Sequence, residues 1–216
     1  MKRSIVFILF TIYFNFSFAI QKPAGSHVPW TKEDSIAINA LVLYPDTVRL
    51  EIFEACEYPA AIVRIASVQK NSSSGFAEMI SGYSKADQED IWNLSRYPEL
   101  IPKLVEGGQK SDNQTNAILS AYPQEIQATA LNYERNNYSL LKNINDLQIQ
   151  TNNQFEDIIS YYPDSIQKVF RNLVKMPEVM GLLNDHLNLT VRVGDHFKRD
   201  PQWVIHKADS ANLAEV

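Results

Sequence analysis

Four tyrosines, Tyr44, Tyr83, Tyr122 and Tyr162, stand 39, 39 and 40 residues apart. Three of them directly precede a proline, Pro45, Pro123 and Pro163, and Ser84 takes that place in the second copy. A fixed period of this length restricts the chain to architectures built from one recurring supersecondary unit. Residues three before each tyrosine (Leu41, Ile80, Leu119, Ile159) and four before (Ala40, Met79, Ile118, Ile158) are apolar and share one helical face. Positions four after (Val48, Asp87, Ile126, Ile166) and eight after (Ile52, Ile91, Ala130, Phe170) continue the pattern, so a second helix is expected to start at the proline, whose fixed φ suits a first turn. Fifteen residues beyond each tyrosine a second break recurs at Pro59, Pro98, Asn137 and Pro177, followed by AAIVRIA, ELIPKLV, YSLLKNI and EVMGLLN.

These spacings predict an all-α chain with three short helices in each unit of about 39 residues. Units are placed at 31–71, 72–110, 111–150 and 151–188, with a truncated fifth over 189–216 that is anchored by Pro201. Polar stretches at 69–75, 106–114 and 147–154 are expected as surface loops between units. Only 7 glycines and almost no strand pattern argue against turn-dense β architectures. The period lies nearest the armadillo and HEAT class, and so few units can equally close into a helical globule.

Residues 1–19, MKRSIVFILFTIYFNFSFA, have a basic start, an apolar run and a small-residue end at Ser17 and Ala19, the pattern of a secretory signal peptide. An uncleaved anchor is the alternative, since the run is near the short end of spanning length. The chain is therefore expected in the periplasm or outside the cell, with no membrane contact after cleavage; residues 20–30 read as an extended lead-in and 31–216 as one helical-repeat domain. One cysteine, Cys56, allows no internal disulfide, and its apolar setting reads as a buried thiol. A net charge of -5, becoming -7 without Lys2 and Arg3, argues against a nucleic-acid partner.

The segment LVLYPDTVRLEIFEACEYPAAIVRIA is similar to the opening motif of a bacterial exported family, the domain of unknown function numbered 3300. The terminal stretch MPEVMGLLNDHLNLTVRVGDHFKRDPQWVIHKAD resembles its second block. Matching positions are Tyr44, Pro45, Asp46, Tyr58, Pro59, Pro177, Gly194, Asp195 and Phe197. The resemblance implies an envelope protein and brings no activity with it.

Candidate chemistry is sparse. Tyr44, Tyr83, Tyr122 and Tyr162 are the candidate binding residues: exposed along a groove they would form a ladder for an extended peptide or glycan, and otherwise they pack at helix corners. His186, His196 and His206 lie ten residues apart, out of helical phase, and read as surface histidines; no metal or cofactor is expected. Glu54 and Glu57, and Asp87, Glu89 and Asp90, read as solvated helix faces. Asp46-Thr47 and Asp164-Ser165 suit first turns, although they also match a short acceptor pattern for O-glycosylation. No nucleophile elbow, phosphate loop or zinc helix motif occurs. The expected function is a non-enzymatic module that binds an envelope protein or peptide. The alternative is an envelope hydrolase acting on peptide or glycan in a groove between units, and a third reading is an accessory protein with no discrete site.

Overall fold

A computed structural model describes residue 39 and residues 43–213, with side chains as far as residue 210. The expected signal peptide at 1–19 and extended lead-in at 20–30 lie outside the described residues. Eleven helices follow one another over residues 43–213: α1 Asp46–Cys56, α2 Pro59–Ile80, α3 Lys85–Ser95, α4 Leu100–Val105, α5 Asp112–Leu119, α6 Gln124–Asn136, α7 Tyr138–Ile159, α8 Asp164–Leu173, α9 Pro177–Asp185, α10 Leu187–Arg199 and α11 Pro201–Leu213. No strand occurs among the described residues, so the all-α reading holds.

The tyrosine corners recur as backbone geometry. The residues after the four tyrosines have nearly the same torsions: Pro45 (-56°, 152°), Ser84 (-60°, 157°), Pro123 (-57°, 146°) and Pro163 (-54°, 149°). Each caps the next helix from one position earlier than expected. Proline reaches this conformation because its ring fixes φ; Ser84 reaches it by capping, its hydroxyl accepting from the Asp87 N–H. At the second breaks Tyr58, Asn137 and Met176 share φ between -119° and -139°.

Two expected loops are absent. Residues 69–75 and 147–154 run inside α2 and α7, each a continuous helix of 22 residues and so about 33 Å long. Only the 106–114 stretch opens into a loop, turned by Gly107 and Gly108 at φ 73° and 93°, and its end already belongs to α5. The unit boundaries at 71/72 and 150/151 thus fall in mid-helix. The error has a physical cause: serine, asparagine and threonine are less favourable in a helix than alanine by only about 0.7 kcal/mol, and glycine by about 1 kcal/mol, which neighbouring contacts override.

Nor do the units stack in series. Helix α1 packs on α8 and α10, and α3 packs on α6, so the first unit pairs with the fourth and the second with the third. The contacts obey an approximate two-fold relation between α1–α5 and α6–α10: α1 with α8 mirrors α6 with α3, α9 with α2 mirrors α4 with α7, and α10 with α1 mirrors α5 with α6. Helices α2 and α7 pack on each other, and the Thr151 hydroxyl lies 2.9 Å from that of Ser72, its counterpart 79 residues earlier. The fold is a closed helical assembly and not an armadillo-like stack.

Two cores result. One collects Phe76 and Ile80 from the end of α2, Leu140, Leu141 and Ile144 from the start of α7, and the apolar faces of α3 to α6, with Tyr133 1% exposed. The other contains α1, the first half of α2, the end of α7 and α8 to α11, burying Phe53, Ile62, Ile158, Phe170, Met180 and Val193.

Candidate functional site

The candidate site is a groove of about 180 Å³ where α11 lies beside α1. Leu50 and Phe53 from α1 and Ile205 and Ala208 from α11 give it apolar walls, and Asp46, Arg49 and Asp209 stand at its rim. The spacing in α1 explains the division: Asp46, Arg49, Leu50 and Phe53 follow at three- and four-residue steps, so all four share one face. Phe53 turns far enough inward to meet Phe197 of α10, with ring centroids 5.8 Å apart. Leu50 remains 42% exposed, and Leu43 just before the helix is 82% exposed.

Arg49 joins the two helices. Its guanidinium donates to Asp46 three residues earlier and, at 3.1 Å, to Asp209 of α11. The Arg49 side chain is 13% exposed, and its buried Nε–H finds no acceptor among the described residues. The rim thus carries two carboxylates against one cation. A segment presenting an apolar side chain and a basic group matches both features.

The four candidate tyrosines sit elsewhere and are all half-buried, so they do not form the exposed ladder. Tyr162 meets Tyr58 edge-on at 5.3 Å, and Tyr122 meets Tyr97 in the same way at 5.6 Å. Tyr83 and Tyr122 pack against the α3–α6 core. Tyr162 and Tyr122 thus each join the first corner of one unit to the second corner of its paired unit, which is a structural duty. A partner residue escaped the sequence reading: Gln88, Gln127 and Gln167, each five residues after its tyrosine, donate to that tyrosine's carbonyl at 2.9, 2.8 and 2.9 Å. The signal was visible as a fixed offset. Arg49 holds the same place in the first unit, where it serves the groove instead.

Other candidates resolve into structure. Burial pushes the Cys56 thiol well above the ordinary thiol range, leaving it protonated and inert. Glu54 lies on α1 and Glu57 caps its C-terminus, both beside Tyr58; burial, then Glu51 and Glu57, raise the Glu54 carboxyl. Glu51 accepts from the Asn172 amide at 2.6 Å, fastening α1 to α8. Asp87 accepts from the Tyr133 hydroxyl at 3.3 Å. His186 occupies the break between α9 and α10, His196 lies against the Trp203 ring at 4.6 Å, and His206 is exposed. Among the described residues no three His, Cys, Asp or Glu side chains gather into a metal-holding group.

The segments that resemble the exported family meet in space. Gly194 of α10 lies so close to the end of α1 that a Cβ there would fall 2.0 Å from the Cys56 carbonyl oxygen. Comparison with known proteins finds no matching family model, no matching curated protein and no matching solved structure. The likeness therefore rests on its own residues.

Proposed function

We propose that this chain is an exported, non-enzymatic module that binds an amphipathic segment of an envelope protein in the groove between α1 and α11. The observation that carries the reading is the rim of Asp46, Arg49 and Asp209 around Leu50, Phe53 and Ile205, with Leu43 and Leu50 exposed alongside. Apolar walls reward burial of a partner's side chain, and the excess carboxylate selects a segment that also carries Lys or Arg. Export follows from the signal pattern of residues 1–19.

The hydrolase reading draws less support. Its two carboxylates would have to divide acid and base duties, whereas Asp46 and Asp209 both accept from the same guanidinium.

The test is capture of envelope proteins at low salt by the purified protein and by its Leu50→Asp variant, with Tyr161→Asp as an exposed control outside the groove. A partner held by the wild type and the control, and lost at least tenfold from Leu50→Asp at unchanged melting temperature, supports the proposal. Capture indifferent to Leu50→Asp, or no specific capture, refutes it.

A further inference from the structure

The two cores are joined through a single pair of helices, α2 with α7, which pack on each other. Among the described residues the chain passes between the cores twice, along the middle of α2 and the middle of α7, because everything from the end of α2 to the start of α7 belongs to one core. Helix α2 buries no residue between Ile65 and Phe76, and α7 buries none between Ile144 and Phe155. The two gaps match residue for residue at an offset of 79.

What fills the gaps is unlike the rest of either helix. Residues 70–75 read KNSSSG and residues 148–154 read QIQTNNQ, with Lys70 the sole charge. Where the gaps face each other the contacts include the Ser72–Thr151 hydrogen bond and the Leu147 side chain, which lies 3.7 Å from where a Gly75 Cβ would stand. The Thr151 hydroxyl also donates to the Leu147 carbonyl at 2.8 Å, a competing acceptor within its own helix. Glycine and serine pairs are recurrent places for a helix to bend, and weak helix formers that contribute no side chain to a core open at lower free energy than those that do.

We infer that the paired middles of α2 and α7 are a hinge about which the two lobes, α3–α6 with its flanking helix ends and α8–α11 with α1, rotate as bodies. Both crossing segments lie at the two-fold relation itself, so bending one requires bending the other, and the motion has one axis. A ligand touching both lobes selects one angle from the set. The inference stands apart from the groove, which lies within one lobe.

The experiment combines amide exchange with distance measurement on the full chain. Spin labels at Glu125 and Lys175, exposed positions in different lobes, report the inter-lobe distance distribution. A second protein carries Ser73→Ala, Ser74→Ala, Asn152→Ala and Asn153→Ala, all at exposed positions, which strengthen the helices without touching either core. Wild-type amides at 70–75 and 148–154 should exchange at least ~10-fold faster than those at 62–66 and 140–144. The wild-type distribution should be broad, and the alanine variant should narrow it and slow that exchange. Equal protection of middles and flanks, a wild-type distribution already single and narrow, or a broad one unmoved by the alanines overturns the hinge.

Discussion

Replacing Gly194 by alanine puts one methyl group where α10 crosses the end of α1. The new Cβ would stand 2.0 Å from the Cys56 carbonyl oxygen, 2.4 Å from its carbon and 2.8 Å from the Glu57 nitrogen. Ordinary contact needs about 3.5 Å, and the obstructing atoms are backbone, so no rotamer change relieves the clash. The helices must separate, which disturbs the Phe53–Phe197 contact and the packing of Val193 and Cys56, both almost wholly buried. Overpacking of this kind costs about 3 kcal/mol, against which alanine returns about 1 kcal/mol of helix propensity. The expected loss is about 2 kcal/mol, a fall in melting temperature of about 4 to 8 °C. Gly181 of α9 supplies the contrast, because nothing lies within 4 Å of its Cβ position. Gly181→Ala should therefore stabilise by up to about 1 kcal/mol through propensity alone. Urea denaturation of the three proteins reads both effects as midpoint shifts at constant slope. A Gly194→Ala midpoint equal to or above the wild type would refute the helix contact.

Tyr162→Ala should destabilise by about 2 to 3 kcal/mol, since it removes a ring set edge-on to Tyr58 and tilted on Phe170, while Tyr161→Ala, at a side chain 80% exposed, should stay within about 0.5 kcal/mol; paired thermal melts distinguish them. Burial, then Asp87, pushes the Tyr133 hydroxyl up to about 12, so its contribution is complete below the ordinary value of 10.0 and is lost as pH rises through the shifted one. Spectrophotometric titration should find Tyr133 ionising at the upper end of that window together with loss of structure, and Tyr133→Phe should remove this part of the alkaline transition.

How far the residues alone were readable differs from element to element. The corners at Tyr44, Tyr83, Tyr122 and Tyr162 were legible because proline, or a capping serine, sets torsions locally, and the helix faces were legible because their period is a property of the backbone. The polar middles of α2 and α7 misled because they carry loop-like composition, and only the pairing of two long helices keeps them helical. The groove was not legible at all: Asp46, Arg49 and Leu50 announce one helical face, but nothing in them reveals that Asp209, 160 positions away, completes it.

The all-helical class, the helix ends at the tyrosine corners and the roughly forty-residue beat were thus decided by the amino-acid order itself, since each depends on interactions within a few residues. The pairing of first unit with fourth and second with third, the near-contact of Gly194 with Cys56 and the crossing of two cores by α2 and α7 were decided by tertiary structure. They depend on which apolar faces bury one another, and the same faces could have been buried in a serial stack; only the summed packing of the whole chain selects between the two arrangements.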